Sequence, residues 1–217
     1  MYKNTSVQSL LILSLALFSG ACATRAQTVI ATEPASTKPA ARLIGASRVG
    51  LSYNYTKMYE APLYRASGYS LELNQLIRPG LDGKIDYEYT QASLGKDTGR
   101  QSLARGALVL FRSYPWGRPY IEAGVGKIWA NSKRVSDSSF NYFAGAGVEI
   151  PISRAVSAAI GVSFSRYTGY KSTEYEPNLR GMWRLNEGWS ATVGIRHTVI
   201  RHTKGATLFS FGLAAHY

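Results

Sequence analysis

The chain has 217 residues, room for one domain and little else. Lysine and arginine number 25 against 13 acidic residues, a formal charge of +12. That charge is scattered rather than clustered, which speaks against nucleic acid as a partner, and the single cysteine, Cys22, excludes a disulfide framework and a thiolate metal cluster.

The first element is an export signal at residues 1–23. Lys3 supplies the positive start, residues 10–18 (LLILSLALF) the apolar core and residues 19–23 (SGACA) the small-residue stretch. The apolar core is too short to cross a bilayer as a helix. Ala21-x-Ala23 fits an ordinary cleavage site. Gly20-Ala21-Cys22 also fits the end of a lipidation motif, which makes Cys22 a candidate for lipidation, although Ser19 stands where leucine is usual. Residues 24–46 are polar, hold Pro34 and Pro39, and show no period; they are read as a flexible periplasmic tail.

From residue 47 to 217 the pattern is two-faced. A strand turns successive side chains to opposite faces, so apolar residues at every second position mark one face of a sheet. Strand one, 48–56, turns Val49, Leu51, Tyr53 and Tyr55 outward. Strand two, 68–77, sets Tyr69, Leu71 and Leu73 against Glu72 and Asn74. Strand three, 84–91, sets Ile85, Tyr87 and Tyr89 against Asp86, Glu88 and Thr90. Strand four, 102–113, contains the continuous apolar run Leu108-Val109-Leu110-Phe111; Ala107, Val109 and Phe111 are read as outward, with Arg105 inward.

Strand five, 120–130, turns Ile121, Ala123, Val125 and Trp129 outward and Glu122, Gly124 and Gly126 inward. Strand six, 140–150, turns Phe140, Tyr142, Ala144, Ala146 and Val148 outward and Gly145, Gly147 and Glu149 inward. Strand seven, 155–167, alternates throughout. Strand eight is short, 178–185, with Arg180, Met182 and Arg184 inward. Strand nine, 189–200, places Arg196 inward and His197 outward. Strand ten, 207–217, lines up Phe209, Phe211, Leu213 and Tyr217 on one face.

Ten apolar-and-polar segments behind an export signal predict a transmembrane, antiparallel, up-and-down β-barrel, an all-β fold. A count of eight follows if strand four or eight is misplaced. With ten strands both termini face the periplasm. Short connections then fall at 78–83, 114–119, 151–154 and 186–188, and long ones at 57–67, 92–101, 131–139, 168–177 and 201–206.

Two Gly-rich stretches, Tyr120-Ile121-Glu122-Ala123-Gly124-Val125-Gly126 and Phe143-Ala144-Gly145-Ala146-Gly147-Val148-Glu149, resemble the paired strands of small outer-membrane barrels of the OmpA/OmpX-like, porin-family kind. Asn186-Glu187-Gly188-Trp189-Ser190 resembles their periplasmic turn into a Trp-led strand, and Phe209, Phe211, Leu213 and Tyr217 resemble their C-terminal assembly signal. The resemblance covers about residues 45 to 217. It implies residence in the outer membrane of a Gram-negative cell, insertion by the barrel assembly machinery and contact with outer-membrane lipid, including lipopolysaccharide. The peptidoglycan-binding domain of the larger OmpA proteins has no counterpart here.

The inward set is Glu72, Asp86, Glu88, Glu122 and Glu149 with Arg105, Arg180, Arg184 and Arg196. A narrow barrel is filled by its own side chains, and buried charges of opposite sign pair. This set is therefore read as a charge network that plugs the lumen, with a narrow ion or solute path as the alternative. Lipid A deacylases, a third class, use a His with a Ser two residues on. Val199 follows His197 at that spacing and Lys204 follows His202, so neither site matches. No cofactor, metal or catalytic group is expected. The outward aromatics could serve sugar binding, but interfacial belts account for them. The leading expectation is a structural or surface-interaction barrel that works through its extracellular loops.

Overall fold

The computed structural model describes residues 41–59, 65–94, 97–132, 136–169, 172–200 and 205–217. The export signal, Cys22 and residues 24–40 of the tail lie outside the described residues.

Ten strands form, in chain order β1 (Arg48–Met58), β2 (Arg65–Arg78), β3 (Leu81–Leu94), β4 (Asp97–Phe111), β5 (Arg118–Asn131), β6 (Ser136–Pro151), β7 (Val156–Tyr167), β8 (Ser172–Arg184), β9 (Trp189–Ile200) and β10 (Ala206–His216). Each pairs antiparallel with its sequence neighbours, and β1 pairs with β10 from Arg48↔His216 to Met58↔Ala206, which closes the barrel. Closure leaves no unpaired edge, the condition a sheet must meet to cross a bilayer.

The alternation explains the wall. Leu51, Val125, Ile160, Val193 and Phe211 stand out from it, each more than half exposed. Aromatic residues flank this belt on both sides. Trp116, Trp183, Trp189 and Tyr217 ring the periplasmic end, and Tyr53, Tyr69, Tyr87, Phe140, Tyr142 and Tyr175 the other. Apolar faces between aromatic girdles are the outside of a membrane barrel.

Three expectations are corrected. Val109 is buried inside at 4% exposure, while Leu108 and Leu110 face out. Ala107, Val109 and Phe111 therefore point inward with Arg105, because all four share one parity and the apolar lumen face here has a packing partner. β8 begins at Ser172, six residues earlier than the sequence suggested. Pro177 hid this extension, since a proline lacks the ladder N–H; it occupies an outward position between the pairs Tyr175↔Val199 and Asn178↔Arg196. The long connections are also shorter than expected: residues 95–96 alone separate β3 from β4, and 132–135 separate β5 from β6. β3 to β6 have 14 to 16 residues, more than the roughly 9–11 a membrane strand needs. Their surplus forms paired hairpin wall at the extracellular end, with Gln91, Arg100, Asn131 and Ser138 on its outer face.

Candidate functional site

The lumen is layered. At the periplasmic mouth, residues 41–46 cross the opening as a strap. The sequence placed them in the flexible tail, yet Ala41, Leu43 and Ile44 are buried against Val109, Ala159 and Met182, with Phe111 and Tyr120 alongside. Apolar burial of this kind is worth about 1.5–3 kcal/mol per large side chain. The strap's backbone is bound too. The Ala41 N–H donates to the Arg154 carbonyl at 3.0 Å. The N–H groups of Leu43 and Ile44 donate to the two carboxylate oxygens of Glu149 at 2.7 and 3.1 Å. The Gly45 N–H donates to Asp82 Oδ2 at 2.7 Å. Gly45 has φ +75°, and a Cβ there would meet the Phe111 ring at 2.9 Å, so only glycine fits this bend.

Above the strap lies the charged layer. Glu72 is its hub: it pairs with Arg48 and with Arg180, and Lys84 Nζ stands 3.9 Å away. Lys84 also reaches Asp86 at 3.3 Å and Glu122 at 3.9 Å. Arg196 joins Glu88 at 2.8 Å to Glu176 at 3.5 Å, and Arg105 meets Glu176 at 3.7 Å. Ser163 and Thr198 donate to the remaining positions of Glu176. Arg118 holds Glu149 at 3.1 Å, on the same Oε2 that accepts from Ile44 of the strap. A cavity of about 170 Å³ remains among these groups. Asn54 lines it with both amide atoms unpartnered, a polar environment suited to ordered water. Nearer the extracellular mouth, Leu103, Ile128 and Tyr167 make a small apolar cluster.

Of the nine residues the sequence placed in the network, eight are in it: Glu72, Asp86, Glu88, Arg105, Glu122, Glu149, Arg180 and Arg196. Arg184 is not. It sits at the periplasmic rim and donates to the carbonyls of Asn186 and Glu187 at 3.1 and 2.7 Å, where it caps the β8–β9 turn. The structure adds Arg48, Lys84, Arg118 and Glu176. Arg48 is opposite in parity to the outward set of strand one and Lys84 shares the parity of Asp86 and Glu88, so alternation alone could have found them. Glu176 was lost with the first half of β8.

Glycines make room for the interior. A Cβ on Gly147 would lie 2.6 Å from the Tyr120 hydroxyl and 2.5 Å from the Ile160 carbonyl. That close approach is why strands five and six are glycine-rich on the lumen side.

Two hydroxyl–imidazole pairs exist. His216 Nε2 is 2.7 Å from Ser190 Oγ, and His197 Nδ1 is 2.8 Å from Thr207 Oγ1. Ser190 is fully buried and Thr207 is 6% exposed. Neither histidine has a carboxylate bonded to it among the described residues. Both pairs clip β9 to β10 and leave a substrate no approach to the hydroxyl. The assembly-signal residues Phe211, Leu213 and Tyr217 face outward, and the Tyr217 hydroxyl donates to Gln75 at 3.0 Å.

No protein-family model matches the sequence, and no curated protein sequence does. Solved structures do. The translocator domain of autotransporter NalP from Neisseria meningitidis matches with a TM-score of 0.51 at 8% identity, over 97% of this chain and 96% of that one. The NanC porin matches with a TM-score of 0.50 at 9% identity, over 78% of this chain and 100% of that one. At such identities the likeness is one of fold. By fold, then, the chain is a small outer-membrane β-barrel of ten antiparallel strands.

Proposed function

We propose that the protein is a structural outer-membrane barrel with a closed lumen, acting from its outer surface and its extended extracellular hairpins rather than as an open pore. One observation carries this reading: the charge network around Glu72 fills the lumen while the strap 41–46 covers its periplasmic mouth. Ion pairs of this density crowd the lumen, and moving a paired charge aside to open a path is costly. The surface that remains available is the β3–β6 wall above the bilayer.

The experiment is conductance of refolded protein in a planar bilayer, with the gel shift on boiling as the check on folding. Silence from folded protein supports the closed-lumen reading. Stable, reproducible steps would overturn it.

A gated channel is the second reading, favoured by the nature of the periplasmic closure. It is made by six residues of strap, not by the barrel wall, and four of its backbone N–H groups donate to the barrel. A variant lacking 41–46 that conducts where the parent is silent favours the gated channel. If that variant is equally silent, the charge network alone closes the lumen.

A further inference from the structure

Acidic side chains of the described strands take inward positions, and the outward positions carry cations only. At the extracellular end these are Lys57 on β1, Arg65 on β2, Arg100 on β4, Lys127 on β5 and Arg166 on β7. Lys57 and Arg65 are register partners, so two like charges face each other across adjacent strands. That arrangement repels, and neither has an ion pair among the described residues. Lys57 only lies over the Tyr59 ring, 5.6 Å from its centre.

On the bilayer side of this pair the outer wall is concave. Tyr53, Tyr55, Tyr69 and Tyr89 stand around Ser67 and Gly68 and, with Arg65, line a shallow, open hollow of about 550 Å³. The Tyr69 and Tyr89 rings stack with centroids 5.1 Å apart. Tyrosine suits a boundary of this kind, with an apolar ring and a wet hydroxyl.

We propose that this patch binds a phosphorylated glycolipid of the surrounding leaflet. Lys57 and Arg65 take a headgroup phosphate, which removes their mutual repulsion, and the tyrosines lie along the sugar and the start of the acyl chains. The position decides the partner. The hollow opens sideways at the level of the aromatic girdle, where the neighbour is lipid, and among the described residues the one charge lining it, Arg65, is positive, with Lys57 beside Arg65 in register. The proposal does not depend on whether the lumen conducts.

The test uses the folded protein in detergent micelles, titrated with diphosphoryl lipid A and read by native mass spectrometry. One tightly held lipid A per barrel is expected. A basic residue near an anionic lipid surface is worth about fivefold in affinity, so Lys57→Ser with Arg65→Ser should weaken binding about twenty-five-fold. Arg166→Ser, on β7 across the barrel, should leave it unchanged. Dephosphorylated lipid A should bind as weakly to the parent as diphosphoryl lipid A binds to the double variant, and equimolar inorganic phosphate should not compete. Equal binding by the double variant, equal binding of dephosphorylated lipid A, or displacement by inorganic phosphate would each overturn the site. Both side chains face outward, so folding is not at stake, and the gel shift confirms it.

Discussion

The inside and the outside of this barrel handle charge in opposite ways. Within the lumen, Glu72, Asp86, Glu88, Glu122, Glu149 and Glu176 each have a cation in an ion pair. On the outer rim, Lys57, Arg65, Arg100 and Arg166 are exposed, with no acid on their face among the described residues. The difference follows from solvent. A charge away from water must be paired or it destabilises the fold. A charge at the headgroup layer is hydrated, and is free to meet a charge that the protein does not supply. Inner substitutions should therefore register in stability, and outer ones in what the protein binds.

The sharpest way to break that contrast is Glu72→Ala. It strands Arg48, Arg180 and Lys84 without their shared carboxylate, and should cost about 3–5 kcal/mol in a urea refolding experiment. A loss below about 1 kcal/mol would mean the lumen is wet enough to screen its charges. Glu149→Ala comes next. It removes the acceptor of two strap N–H groups and the partner of Arg118, for about 2–3 kcal/mol. Protease should then cut the 41–46 segment faster than in the parent; unchanged cutting would show that apolar packing alone holds the strap. Gly147→Ala should cost about 1–3 kcal/mol through overpacking against Tyr120 and the Ile160 carbonyl. The smallest effect belongs to the outside: Lys57→Ser with Arg65→Ser should move the unfolding midpoint by no more than about 0.5 kcal/mol. A large loss there would show that these side chains support the wall itself.

The wall was readable from sequence because lipid outside and polar atoms inside write an alternation into nearly every strand. Where that contrast fades, so does the signal. Leu108 to Phe111 is apolar at every position because one face meets lipid and the other meets Leu43 and Ile44 of the strap. Nothing in the run itself separates the two, and the parity of β4 could be taken either way. The strap is harder still. It makes hydrogen bonds to side chains and a turn rather than to a neighbouring strand, so it has no period. An apolar pair, Leu43-Ile44, within an otherwise polar stretch was its only trace. The network was legible wherever parity was, and partly lost on β8, where Pro177 resembles a strand end.

The strap also has a mechanical consequence. In a ring of ten strands, β6 stands across from β1, and the strap runs between them from the Arg154 carbonyl, past Glu149, to Asp82 and the start of β1. A pull applied at Ala41 from the periplasm would load these contacts one after another, beginning with the hydrogen bond to Arg154. The seam between β1 and β10 is different: its ladder runs from Arg48↔His216 to Met58↔Ala206 and carries a pull along the strands on many bonds at once. The strap should thus peel at low force while the seam holds, so that tension on the N-terminal side uncovers the lumen without tearing the barrel.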